Sequence, residues 1–199
     1  MTDHALATGF GASLPDWLIA ELPQLPTHLS SPEDKVRLTN ELADRNWREG
    51  NGGPFAAIVV DKASGELVSA GVNVVLSSGL SSTHAEVVAL SLAQVALGAW
   101  DLGADRDLEL VVNWRPCAMC YGALIWSGVR HLLIAGSGPE CEELTGFDEG
   151  PLHHDWAAEL ESRGISVTQG VLRDDAIAVF GAYGASDAIV YNARGLSES

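Results

Sequence analysis

The chain has 199 residues, 47% hydrophobic and 19% charged, which suits one globular domain with a substantial buried core. Its 27 acidic residues against 11 basic ones give a net charge of −16. No Lys/Arg patch of the kind phosphate backbones attract is visible, so nucleic acid is not an expected partner, although net charge leaves room for one local basic groove. No apolar run reaches the roughly 18 residues of a membrane span and no signal-peptide pattern opens the chain. The three cysteines fit a reduced, cytoplasmic protein with no membrane partner.

Residues 1–31 carry Pro15, Pro23 and Pro26 without a sustained period. They read as an irregular leader with one short helix near Trp17-Leu18-Ile19. A helix begins at Ser31, with Ser31 as cap, Pro32 in the first position and Glu33 and Asp34 in the first turn. Gly50 and Gly52 end it. Phe55 to Val60 is continuously apolar, as for a strand covered on both faces. Asp61-Lys62-Ala63-Ser64-Gly65 is turn chemistry, and Glu66 to Val75 reads as a second strand. A polar loop, Ser77 to Ser82, leads to a helix over Val87 to Leu97 closed by Gly98. A third strand, Leu108 to Val112, delivers the chain to Pro116. A helix from Cys117 to about Ser127 and a fourth strand over His131 to Ala135 follow. In the last third the pattern predicts short helices over Gly138 to Leu144 and Asp155 to Arg163. A fifth strand over Ile165 to Gln169 and a final helix over Asp174 to Tyr183 complete it. This alternation predicts an α/β fold with parallel members and helices on both faces of the sheet. Cys141 lies in a loop-like Gly-Pro-Glu-Cys-Glu context as a free thiol.

Two stretches carry the chemistry, Thr83-His84-Ala85-Glu86 and Pro116-Cys117-Ala118-Met119-Cys120. Zinc takes nitrogen and sulfur ligands, and a catalytic zinc keeps one of four positions open for water. His84, Cys117 and Cys120 fill three positions, and Glu86 is the spare carboxylate that moves the water's protons. The order H-x-E, then P-C-x-x-C, is the signature of zinc-dependent base deaminases. Cys117 and Cys120, three apart, share one helix face, with Pro116 in the first turn and the helix N-terminus favouring thiolate. Two residues on one helix lie about 200° apart, so His84 and Glu86 reach one site only if His84 sits at the helix entrance, with Thr83 as its cap. Taken singly, C-x-x-C also suits a redox pair or two buried small residues. A non-catalytic zinc-stabilised binding module is the non-enzyme alternative, and the presence of Glu86 argues against it.

These motifs and the strands around them resemble the cytidine deaminase-like superfamily. Gly52-Gly53-Pro54-Phe55-Ala56-Ala57, Gly71-Val72-Asn73, His84-Ala85-Glu86-Val87-Val88-Ala89-Leu90 and Gly146-Phe147-Asp148-Glu149 look more narrowly like bacterial guanine deaminases, a branch that includes enzymes acting on amino-triazines. The Tyr191-Asn192-Ala193-Arg194 tail tilts the same way, and the likeness covers about residues 32 to 194. The resemblance implies a three-layer α/β/α fold with a central mixed five-stranded sheet. It implies a deaminase domain over 32–184 and a tail over 185–199 that closes the active site. One zinc ion per chain serves hydrolysis of a free purine base, guanine to xanthine plus ammonia. Amino-triazine, cytosine, cytidine or tRNA adenosine are the alternative substrates, and the acidic surface argues against tRNA.

Glu86 is then the proton carrier and Glu149 assists the leaving amine. Nearby N–H donors at the Cys helix hold the tetrahedral intermediate. Asn73 is similar in position to a base-binding Asn, Tyr191 to an aromatic residue closing over the base, and Phe55 is placed to stack there. Arg115 departs from the family, which usually has an acidic residue before the Pro-Cys pair. It either raises thiolate character, recognises an anionic or carbonyl group of the substrate, or is an exposed side chain without a role. A homodimer, with tails exchanged between protomers as one arrangement, is the expected assembly.

Overall fold

The structure is a computed structural model and describes residues 6–192. Five strands, β1 (Ala56–Asp61), β2 (Leu67–Val72), β3 (Leu108–Val112), β4 (His131–Ile134) and β5 (Ser166–Gln169), form one sheet in the order β2-β1-β3-β4-β5. β1 runs antiparallel to β2 and β3, whereas β3, β4 and β5 are mutually parallel. The sheet is mixed, with the hairpin at one edge and the parallel crossovers at the other.

Alternation along each strand splits the core into two layers. Ala56, Ile58, Val60, Val111 and Leu133 face one side. There they pack with α2 (Pro32–Arg48), through Val36, Leu42 and Ala43, and with α8 (Arg173–Gly184), through Ala176 and Phe180. Ala57, Val59, Leu110, Val112 and Ile134 face the other side, with Ala85 and Ala89 of α4 (Ala85–Leu97), Leu124 of α5 (Ala118–Ser127) and Leu160 of α7 (Trp156–Glu161). Helices lie on both faces, as the alternation predicted, and make the three-layer α/β/α arrangement that the resemblance implied. α2 starts as its sequence dictates: Ser31 Oγ accepts from the Asp34 N–H at 3.0 Å, and Pro32 occupies the first turn.

The leader is more ordered than its prolines imply. α1 (Asp16–Glu21) buries Leu18 completely, and Leu29 is also in the core. The Leu29 N–H donates to the Gly65 carbonyl at 2.7 Å, and the Leu67 N–H to the Thr27 carbonyl at 2.9 Å, so the chain before α2 is tied to the β1–β2 turn. α1 is the short helix expected near Trp17-Leu18-Ile19, and burial of Leu18 and Leu29 ties the rest of the leader to the core. Residues 1–5 of the leader lie outside the described residues.

Two element boundaries differ from the sequence reading. The second strand stops at Val72 rather than Val75, and Val75–Ser78 is a one-turn helix, α3. The cause is Asn73, whose side-chain Oδ1 accepts from the Val75 N–H at 3.2 Å and turns the chain out of the sheet. The short helix expected over Gly138 to Leu144 begins two residues later and takes in Cys141, whose flanking residues look loop-like. Cys141 lies in α6 (Glu140–Thr145), fully buried, with its carbonyl taking the Thr145 hydroxyl at 2.5 Å.

Candidate active site

Strand direction decides where the chemistry gathers. Because β1 is antiparallel to β2 and β3, its first residues lie beside their last: Ala56 pairs with Val72 and Ala57 with Val112. The segment from Gly52, the end of β2 at Asn73 and the end of β3 therefore converge on one rim. Asn113 fastens this rim. Its side chain accepts from the Ala56 N–H at 3.1 Å and donates to the Pro54 carbonyl at 3.0 Å.

α4 and α5 arrive at the same rim by their N-termini. His84 is the residue capping α4, with extended backbone angles (φ −67°, ψ 157°), so its ring leaves in a direction that helical geometry would forbid. The following turn carries Glu86. This resolves the 200° conflict, but Thr83 is not the cap. The Thr83 hydroxyl donates backwards to the Leu80 carbonyl at 2.7 Å and fixes the approach to His84 instead. Likewise Cys117, not Pro116, stands at the start of α5 (φ −65°, ψ 171°), which puts Pro116 before the helix rather than in its first turn. Cys120 follows three residues on and is completely buried.

Imidazole and thiols meet. Cys117 Sγ lies 3.5 Å from His84 Nδ1, and ligand atoms of His84, Cys117 and Cys120 all fall within 4.8 Å of one another. Among the described residues no fourth His, Cys, Asp or Glu joins this set. Two thiols and an imidazole with one position open fit a catalytic rather than a closed structural zinc. The Cys117 thiol is pulled down to about 4 by its hydrogen bonds with Cys120 and then His84. Cys120 is pushed well above the usual thiol by the same bond and by burial. Burial works to lower the His84 imidazole, yet the bond to Cys117 and the charge of Glu86 carry it above its ordinary value.

Two carboxyls stand outside the donor set. Glu86 is 5% exposed, and burial, then the charge of Cys117, pushes it up to about 7. Glu149 is 8% exposed and pushed up to about 8, chiefly by burial, then by Cys117 and Glu86. Glu149 reaches the site from far along the chain. Gly146 (φ +76°) turns the backbone out of α6, and the Glu149 carbonyl accepts from the Ala118 N–H at 2.9 Å. That N–H, at the start of the Cys helix, is thus already committed.

The remaining residues fall into place unequally. Asn73 is fully buried, and its amide Nδ2 reaches no hydrogen-bond partner among the described residues. Tyr191 lies over the same rim: its hydroxyl accepts from the Gly53 N–H at 3.2 Å and its ring centre is 4.8 Å from that of Phe147. A Cβ on Gly53 would stand 2.9 Å from that hydroxyl and 3.0 Å from the Phe55 ring, so only glycine admits both aromatics. Phe55 is half-buried and packs edge-on against Phe147, with Phe180 at 5.8 Å. Arg115 is not brought to the metal donors. It is half-buried, and its guanidinium donates to the Ser137 carbonyl at 3.3 Å. Ala193 and Arg194 of the tail lie outside the described residues.

Sequence reasoning missed Asn46. Buried in α2, it donates through Nδ2 to the carbonyls of Asn73 (2.7 Å) and Gly53 (3.2 Å) and so joins two sides of the rim. Its only signal is an amide on the apolar face of an otherwise amphipathic helix.

The description "Cytidine and deoxycytidylate deaminase zinc-binding region" matches residues 30–135. The chain is similar to a guanine deaminase of Bacillus subtilis, 32% identical over 133 residues, which is 67% of this chain and 81% of that one. A solved guanine deaminase from Nitrosomonas europaea is 42% identical, superposes with a TM-score of 0.84, and is matched over 92% of this chain and all (100%) of that one. A structure solved in complex with 2,6-diaminopurine is 45% identical with a TM-score of 0.83, over 94% of this chain and 98% of that one. Ligand triad, fold and sequence agree, and the chain belongs to the cytidine and deoxycytidylate deaminase family, with a zinc-binding site.

Proposed function

We propose that this protein hydrolyses guanine to xanthine and ammonia. The observation that carries the reading is the buried Asn73 amide with an unpaired donor, at a rim where two buried carboxyls flank a three-ligand metal set. Likeness along nearly the whole chain to proteins described as guanine deaminases supports it. His84, Cys117 and Cys120 would hold the zinc, which when bound would supply the Lewis acidity that brings the pKa of water from about 15.7 to about 7. Everything else is the work of side chains. The Asn73 Nδ2 donor suits the C6 carbonyl of guanine, a group that adenine lacks. Tyr191 and Phe147 cover the apolar side of the base and exclude bulk water.

Glu86 takes a proton from the attacking water and delivers it to the ring nitrogen beside C2. Glu149, whose carboxyl burial pushes up, hands a proton to the departing amine. Glu86 collects the proton that the C2 hydroxyl loses as the carbonyl forms, so that returning this proton to Glu149 restores both carboxyls. Burial keeps both carboxyls near the working pH, where a group can accept and release a proton with little cost. Arg115 is given no part in this scheme: its guanidinium donates to the Ser137 carbonyl, and its buried Nε has no partner among the described residues.

A panel of free bases, nucleosides and triazines, assayed for ammonia release, tests the reading. Guanine should be turned over and adenine rejected by about 10⁴-fold, since a site built for a carbonyl leaves its donor unpaired against an amine. Turnover of adenosine or cytidine with none of guanine would replace this reading with the nucleoside one.

The protein works on a free small molecule, consistent with its net charge of −16. Among the described residues no helix is long and apolar enough to cross a membrane, and a cytoplasmic site of action is in keeping with unpaired cysteines. We infer a homodimer from the outer face of α5, where Met119 (40% exposed) and Trp126 (81%) flank Gly122 and Ala123 at helical spacing. In the single chain the tail lies on its own site, through Tyr191 and Gly53. Light scattering decides the assembly, with twice the chain mass expected and the chain mass contradicting it.

A further inference from the structure

Glu149 is carried by a short loop with no regular structure of its own, and a carboxyl that must meet a leaving amine needs its backbone fixed. Three fastenings hold this loop. The Thr145 hydroxyl accepts from the Phe147 N–H at 3.2 Å, and the Glu149 carbonyl is held by the Ala118 N–H. The third comes from the far end of the chain. Asn192 Nδ2 donates to the Gly146 carbonyl at 2.9 Å while Asn192 Oδ1 accepts from the Asp148 N–H at 3.3 Å. One side-chain amide thus grips the loop backbone on two sides of Phe147, as a neighbouring strand would. Its immediate neighbour Tyr191 is the residue over the rim.

We propose that Asn192 is a positioning residue for Glu149: its two-point grip on Gly146 and Asp148 sets the loop that presents the carboxyl, so that closure of the tail and placement of the proton donor are one event. The inference rests on the reading of Glu149 given above. It explains why an amide stands here. Aspartate would keep the acceptor for the Asp148 N–H but lose the donor to Gly146, and alanine would lose both. It also gives the tail a part in the chemical step, beyond covering the base. A misplacement of about 1 Å in a reacting group can cost about 10²-fold in rate, so loosening the loop should be read in kcat.

The test is a double-mutant cycle with Glu149→Gln, together with hydrogen–deuterium exchange of the Gly146–Glu149 segment measured without substrate. Asn192→Ala should speed exchange of the Asp148 amide and lower kcat by about 10- to 100-fold with KM nearly unchanged. Asn192→Asp should recover part of the rate. In the Glu149→Gln background Asn192→Ala should cost almost nothing further, because both changes act through one group. Full additivity, a rise in KM with kcat intact, or unchanged exchange at Asp148 would each overturn the proposal. If guanine is not the substrate, the cycle is run on whichever panel compound releases ammonia. The exchange result stands apart from substrate identity, so failure of the grip and failure of the guanine reading are told apart.

Discussion

In the function proposed above, Asn73 is the side chain on which choice of substrate turns. It is fully buried, its Oδ1 is occupied by the Val75 N–H, and its Nδ2 is left with nothing to donate to among the described residues. Leaving a buried donor unmade costs about 1–3 kcal/mol, a debt that a carbonyl-bearing base removes on binding. Asn73→Ala should therefore lower kcat/KM for guanine by about 10²-fold or less while zinc content stays whole, as steady-state kinetics and elemental analysis would record. Unchanged kcat/KM would return Asn73 to its turn-forming role. At this scale the sequence was legible where spacing is short. Cys117 and Cys120 are three apart, so helix geometry exposes their partnership. His84 and Glu86, two apart, were legible only through the H-x-E pattern, since a regular helix would set them on opposite faces. Asn46, Asn113 and Asn192 were not legible, because their partners lie 27, 57 and 46 residues away. No local pattern marks an amide that binds backbone across the fold.

Elements were legible through their periods and less so at their ends. All five strands and the long helices follow from apolar runs and turn chemistry, whereas the end of β2 depends on the single side chain of Asn73, and α4 and α5 begin without a side-chain cap to announce them. The pairing of α4 with β2 is the contact that aims the ligands. A Cβ on Gly71 would stand 2.5 Å from the Ala89 nitrogen and 2.7 Å from the Ala85 carbonyl, both backbone atoms of α4. Neither can yield alone, so Gly71→Ala should push the whole helix away from the sheet. We expect a loss of about 1–3 kcal/mol in denaturant unfolding, as for other overpacked cores. Because His84 and Glu86 ride on the start of α4, zinc content should fall with it. Wild-type stability and full zinc in this variant would mean that α4 does not set the ligand geometry.

For the whole molecule, the metal set joins the entrance of α4 to that of α5, two helices on one face of the sheet. The ligands come from segments about thirty residues apart, and no such site persists in the unfolded chain, so zinc binding adds to folding stability. Chelation should lower the thermal midpoint, and added zinc should restore it. A midpoint indifferent to chelator would mean that the triad holds no metal in solution. The proposed reaction needs two separate things, a metal-ligand triad and a buried carboxyl that moves protons. Glu86→Gln keeps size and hydrogen-bonding capacity while removing the base. The most direct measurement takes zinc content and ammonia release from guanine on one preparation of this variant. One zinc per chain with turnover lowered by about 10²- to 10⁴-fold is the expected result. Near-normal turnover, or loss of the zinc together with the activity, would contradict it.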